Sequence, residues 1–290
     1  MADHVGWRFH IAERVASHYA LNPEVEAVAL IGSVALGWAD AYSDIELAVF
    51  WRSEPDAERR HMIADELGAA DWHPSEYSTD IQAWCEDYKY YGVKIDLGRW
   101  LTSTMDDIIT DVVVRCDANL SRQMSVSAIG TAVPLQGNAI VRRWQERATI
   151  YPADLAEEMV RQHLNFNPAW MLRMLAQRDD YPLVRRNLTA LSYKLFTILC
   201  GLNRKYYPGH KWLPYHLRMM EILPTDFLER LPAALAAPLP QAVSEFESMI
   251  EDVMALVEAH LPHVDTLPVR SRFEEIPPNT EHPPKTLTTS

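Results

Sequence analysis

Apolar residues recur at helical spacing from the start of the chain. Val5, Phe9, Ala12, Ala16 and Tyr19 fall three and four apart, so residues 6–20 are expected to form a helix with one apolar face. Asn22-Pro23 ends it, because proline pushes the preceding residue toward extended backbone. Residues 26–31 form a short apolar run that stops at Gly32-Ser33, the pattern of a buried strand. The period then changes to two. Ile45, Leu47 and Val49 alternate with Asp44, Glu46 and Ala48, which predicts a second strand with one acidic face. Residues 54–67 read as a helix. Val93, Ile95 and Leu97 alternate with Lys94, Asp96 and Gly98 and predict a third strand.

From about residue 105 the pattern is almost wholly helical. Candidate helices cover 105–118, 138–149, 154–165, 184–202 and 241–260. In the last, Val243, Phe246, Ile250, Val253 and Val257 form the stripe of a core-packing helix. Asn167-Pro168 is expected to break or kink a helix. Six prolines and little apolar content from Pro262 onward predict a tail without its own core. The expected fold class is α+β. A small mixed β-sheet domain would cover 1–104, an all-helical domain 105–261 and a Pro-rich tail 262–290.

Composition narrows the function classes. The chain has 290 residues, 48% of them hydrophobic, which is enough for a sizeable core. Asp plus Glu number 40 against 27 Lys plus Arg, a net charge of −13. That balance disfavours coating nucleic acid through phosphate contacts and suits a small or cationic partner, with a local basic pocket still open. The uncharged apolar stretch at residues 27–39 is shorter than the roughly 20 residues a bilayer requires. The start of the chain lacks the basic and apolar regions of a signal peptide. Cys85, Cys116 and Cys200 are odd in number and far apart, which fits reduced thiols and argues against a disulfide frame or a zinc site. A cytoplasmic protein with no membrane association is expected.

The chemistry concentrates around the second strand. Asp44 and Glu46 lie two apart and point the same way, which is costly in a core strand unless the charges are neutralised. Mg²⁺ does this well, taking carboxylate oxygens and leaving positions for substrate phosphates. Gly32 permits close backbone approach, and the Ser33 hydroxyl with backbone N–H groups can hold phosphate oxygens. Asp96 would join Asp44 and Glu46 if the third strand lies beside the second. Three carboxylates then suit two Mg²⁺ ions, one activating an attacking hydroxyl and one holding a triphosphate.

This set of residues resembles the nucleotidyltransferase superfamily of the DNA polymerase beta type. The likeness rests on Gly32-Ser33, a ten-residue spacer, Asp44-Ile45-Glu46 and the later Asp96, and covers about residues 25–100. Tyr42-Ser43-Asp44-Ile45-Glu46 is similar to the corresponding stretch of aminoglycoside and lincosamide nucleotidyltransferases and of minimal toxin–antitoxin nucleotidyltransferases. The resemblance implies a mixed sheet flanked by helices and followed by a helical domain. It implies that Gly32 and Ser33 bind the triphosphate and that Asp44, Glu46 and Asp96 bind the metals. The implied reaction moves a nucleoside monophosphate, AMP from ATP, to a hydroxyl of a small-molecule acceptor and releases pyrophosphate. AMP transfer to a protein partner and a non-catalytic nucleotide-binding module are the alternatives.

Four features of the rest of the chain bear on that expectation. Asn187, Ala190, Lys194, Thr197 and Gly201 make a small, polar stripe that could face a cleft, with Lys194 near triphosphate oxygens as in relatives of the fold; a surface lysine is the plain alternative. The loop 203–212, with Arg204, Lys205, Tyr206, Tyr207, His210 and Trp212, resembles a segment of bacterial nucleotidyltransferase-like proteins with a helical second half. It could stack a ring or simply close a helix. The general base could be Asp96 or His163. Between the second and third strands, Trp72, His73, Glu76, Tyr77, Asp80, Trp84, Glu86, Asp87, Tyr88, Tyr90 and Tyr91 could receive a cationic ring-bearing acceptor or form an ordinary surface loop.

Overall fold

A computed structural model describes residues 3–278. The chain opens with α1 (Gly6–Tyr19), β1 (Val25–Ile31), the single turn α2 (Gly32–Ala35), β2 (Ile45–Trp51), α3 (Ala57–Leu67), β3 (Ala70–Ser78), β4 (Ala83–Tyr90) and β5 (Val93–Leu101). It continues through α4 (Thr102–Val113), α5 (Leu120–Gly130), β6 (Val133–Gln136), α6 (Asn138–Ala148) and α7 (Ala153–His163). The remaining helices are α8 (Ala169–Gln177), α9 (Tyr181–Leu202), α10 (Leu213–Arg218), α11 (Phe227–Ala236), α12 (Leu239–His260) and α13 (Leu267–Phe273). The fold class is α+β, as the hydrophobic pattern predicts. No helix among the described residues is long and apolar enough to cross a membrane.

Six strands form one mixed sheet in the order β3-β4-β5-β2-β1-β6. The central pair β2–β5 is parallel and the other neighbours are antiparallel. Alternation along the strands gives the sheet two differently covered faces. On one face Val28, Leu30, Ile45, Leu47, Val49, Ile95 and Leu97 pack with Ala12, Val15, Ala16 and Tyr19 of α1 and with Ile63 and Ala64 of α3. On the other, the Phe50 ring lies 4.6 Å from Trp144 of α6 and stacks against Trp100. Buried residues of α4 to α6, including Met105, Ile109, Val126, Ile129 and Val141, extend that second layer.

Contacts divide the chain into two units. The first runs to Leu155 and takes in Tyr206–Gly209; the second comprises Ala156–Lys205 and the residues from His210 on. The change from mixed to helical patterning falls at about residue 104, whereas the first unit extends to Leu155. The difference arises because β6 pairs with β1 and draws the intervening helices α4 and α5 onto the sheet. β6 is four residues long and contains Pro134, so it carries no alternation; as an edge strand it tolerates proline's missing N–H. The hairpin β3–β4 was likewise expected as a loop or acceptor-binding segment. Its outer strand is almost wholly exposed and contains Pro74, the marks of an edge strand.

In the second unit α9 and α12 pack together. The expected stripe of Val243, Phe246, Ile250, Val253 and Val257 is buried. The expectation of a core-less tail from residue 262 is corrected for its first part. Val264 and Phe273 are buried, the Phe273 ring lies 6.2 Å from Phe166, and Arg270 donates to both carboxylate oxygens of Glu258 at 2.6 and 3.1 Å. Two apolar anchors and one bidentate ion pair hold a seven-residue helix that composition alone does not reveal. The last stretch of the expected tail, residues 279–290, lies outside the described residues.

Candidate active site

The parallel pairing of β2 with β5 decides where the acidic residues stand. Ile45 pairs with Ile95, and therefore Glu46 pairs with Asp96. Residues in register on adjacent strands face the same side of a sheet at a strand spacing of about 4.8 Å. The antiparallel pairs extend this row in both directions: Ile31 of β1 lies opposite Glu46, and Asp87 of β4 lies opposite Asp96. One step further, His73 of β3 pairs with Asp87, its Nδ1 3.3 Å from the Asp87 carboxylate. A row of Glu46, Asp96 and Asp87 thus crosses three neighbouring strands. It occupies the face that carries Phe50, four residues beyond Glu46, where α6 covers the sheet. At the Glu46 end the carboxylates are only half-buried.

Gly32 meets this row at close quarters. Its φ is +68°, and a Cβ at this position would lie 1.5 Å from Glu46 Oε2 and 2.6 Å from the carboxyl carbon. The left-handed backbone favours glycine, and a Cβ here would also require the Glu46 carboxylate to swing aside. Ser33 follows, buried, and its carbonyl accepts the Trp38 N–H at 2.9 Å. Asp44 stands just before β2. The buried Arg8 of α1 is beside it, donating to the Ser43 carbonyl at 2.9 Å and to the His4 carbonyl at 2.8 Å. Burial lowers the Arg8 pKa, and the charges of Asp40 and Asp44 counteract that shift.

Lys94 completes the cluster. Its Nζ is 3.0 Å from Asp96 Oδ2 and 4.0 Å from Asp87 Oδ2. The hydrogen bond to Asp96 and the charges of Asp96, Asp87 and Asp44 raise its pKa, so the ammonium form is favoured. Lys94 and Arg8 are site residues that the sequence reading missed, and Asp87, named there only within a possible acceptor-binding segment, joins the carboxylate row. Lys94 was visible two residues before Asp96. Asp87 needed recognition of β4, and Arg8 had no signal beyond its place on the α1 face between Val5 and Phe9.

The donor set suits a hard divalent cation in its chemistry. Glu46 and Asp96 are paired residues on adjacent strands and share a face, and Asp44 stands just before β2. Among the described residues, no group of three or more His, Cys, Asp or Glu side chains is arranged so that it could hold a metal ion. One Asp96 oxygen is engaged by Lys94. Asp44, Glu46 and Asp96 are the carboxylates that would hold such an ion.

Lys194 and His163 belong to the second unit. Lys194 Nζ donates to the Asn165 carbonyl at 2.7 Å and to its side-chain oxygen at 2.6 Å, and lies 5.7 Å from the Phe166 ring centre. It is half-buried, and burial, followed by the Arg272 charge, lowers its pKa. His163 is half-buried as well; burial and then the Lys194 charge favour its neutral ring. The small stripe on α9 does not line an open cleft along its length. Thr197 and Gly201 are buried, and a Cβ on Gly201 would lie 3.1 Å from Met159 Cβ. Small residues there admit the close approach of α7. In the basic loop, Tyr207 is buried, its N–H donating to Gln123, and Tyr206 donates to the Ile150 carbonyl, so both tyrosines are anchored within the first unit. Glu86, grouped by sequence with the acidic segment, is buried on the opposite face against Arg99.

A protein-family profile described as a domain of unknown function, DUF4037, matches residues 119–213. No curated protein matches the sequence. Among solved structures, the crystal structure of a nucleotidyltransferase-like protein from Exiguobacterium sibiricum 255-15 is similar at 13% identity, covering 88% of this chain and 79% of that one, with a TM-score of 0.39.

Proposed function

We propose that the protein is a metal-dependent nucleotidyltransferase that transfers a nucleoside monophosphate, AMP from ATP, to a hydroxyl of a small-molecule acceptor. The observation that carries this reading is the in-register pair Glu46–Asp96 with Gly32 pressed against the Glu46 carboxylate. A turn that brings backbone this close to a carboxylate pair gives a triphosphate and its counter-ion one place to meet. When bound, Mg²⁺ would supply neutralisation of the triphosphate charge and activation of the acceptor hydroxyl. Asp44, Glu46 and Asp96 would hold it. Gly32 and Ser33 position the triphosphate, with glycine leaving room for close approach. The acceptor oxygen forms a bond to the α-phosphorus, the bond from that phosphorus to the bridging oxygen breaks, and pyrophosphate leaves. In this reading Asp96, which shares the sheet face of Glu46, would take the hydroxyl proton, with His163 as the other base candidate.

The test is pyrophosphate release from each of the four ribonucleoside triphosphates with Mg²⁺, with and without a panel of hydroxyl-bearing aminoglycosides, lincosamides and nucleosides. Release that needs one acceptor and is abolished by Asp44→Asn is the expected result. Release that survives Asp44→Asn in a folded protein would sink the assignment.

A further inference from the structure

The open face of the sheet already contains a cation of its own. Lys94 precedes Asp96 by two residues on β5 and therefore shares its face. Its ammonium stands 3.0 Å from Asp96 and 4.0 Å from Asp87. Carrying the β2–β5 register one residue back from Ile45–Ile95 places Asp44 opposite Lys94. One ammonium is thus ringed by three of the four carboxylates at this end of the sheet. β5 is paired on both sides, to β2 and to β4, so the lysine backbone is fixed at the centre of the sheet.

A charged group attached to the strand differs from an ion taken up from solution. It is always present, and it repels a dication that approaches the same oxygens. The expectation from three carboxylates alone is two divalent ions. Adding the lysine changes that count. Resting on the nucleotidyltransferase reading, we propose that Lys94 is the built-in counter-cation of Asp96, so that the site takes up one divalent cation and the place of a second is filled by the ammonium. The solution-derived ion is then held chiefly at the Asp44–Glu46 side. Lys94 acts through Asp96 and is a positioning residue.

Mn²⁺ binding to the full-length protein without nucleotide, counted by electron paramagnetic resonance and by titration calorimetry, tests this. The wild type is expected to bind one Mn²⁺. Lys94→Met is expected to bind a second, or to bind Mn²⁺ at least tenfold more tightly, while Lys94→Arg retains the wild-type count. Circular dichroism on each variant establishes that it is folded; should Lys94→Met not fold, Lys94→Gln carries the same test. Two ions on the wild type, or the same measurable binding by wild type and Lys94→Met, overturns the role of Lys94 and leaves the nucleotidyltransferase reading standing. No Mn²⁺ on either folded protein, or Mn²⁺ binding that Glu46→Gln leaves unchanged, overturns the metal reading itself and this proposal with it.

Discussion

Glu86 and Asp87 are neighbours on β4 and point to opposite faces of the same sheet. Glu86 faces α1 and is fully buried with Arg99; both side chains have no exposure to solvent. The Arg99 guanidinium also donates to the Tyr19 hydroxyl at 2.7 Å and lies 5.7 Å from the Trp51 ring centre. Burial lowers its pKa, and Tyr19 opposes that shift. Asp87 faces the other way, with a third of its side chain exposed, in contact with His73 and near Lys94. The difference lies in what covers each face. The helices α1 and α3 seal the first over Glu86, whereas on the second α6 packs at the Phe50 end and Glu46, Asp96 and Asp87 stay partly exposed. A sealed ion pair is costly to break, because separating it leaves an uncompensated charge in a medium of low dielectric. A charge on the other face keeps contact with water, and changing it there costs little stability.

The largest expected effect falls on the sealed face. Glu86→Ala strands Arg99 and should destabilise the protein by about 3–5 kcal/mol, measured by urea unfolding. Combining Arg99→Met with Glu86→Leu should recover most of that loss; no recovery would mean that the pair does more than neutralise itself. The open face should behave in the opposite way. Asp96→Asn should leave stability within about 0.5 kcal/mol of wild type and reduce pyrophosphate release by a factor on the order of 10² to 10³. A large stability loss there would erase the distinction between the faces. Gly32→Ala is intermediate, since it touches both backbone and site. The left-handed conformation should cost about 1–2 kcal/mol, and displacement of Glu46 should impair nucleotide binding.

The smallest effect is read from Cys85, which shares the face of Asp87. Burial, and after it the Asp96 charge, raises its pKa, so at pH 8 less of it is thiolate than of an ordinary thiol. Removing the Asp96 charge lowers that pKa toward its usual value. Alkylation of Cys85 at fixed pH should therefore quicken by a few-fold in Asp96→Asn. An unchanged rate would place Asp96 outside the electrostatic reach of the row.

The two faces also differ in how plainly the sequence announced them. The strands β1, β2 and β5 follow from runs and alternations of apolar residues, and Gly32, Asp44, Glu46 and Asp96 stand out because acids on a half-buried strand need a reason. Their assembly depends on register. The sequence does not state that Glu46 lies beside Asp96, which comes from parallel pairing of segments some fifty residues apart. The hairpin β3–β4 was hidden because its charges point both ways: Glu86 inward to Arg99 and Asp87 outward to Lys94. A run of alternating acids and aromatics looks the same whether its acids are buried or solvated. For the same reason the buried Arg99–Glu86 pair was invisible, since an inward-facing arginine mimics a surface residue until its partner strand is known. On α9 the small residues Thr197 and Gly201 matched the pattern of a cleft lining, yet the same pattern admits a tightly packed helix.

The central claim is that the open carboxylate row binds a nucleoside triphosphate through a divalent cation. Calorimetric titration of ATP into the protein, with and without Mg²⁺, tests it most directly on the wild type and on the double variant Glu46→Gln with Asp96→Asn. The account predicts Mg²⁺-dependent binding to the wild type and its loss in a double variant that unfolds at the wild-type temperature. ATP binding that needs no Mg²⁺, or that persists undiminished in the double variant, would contradict it.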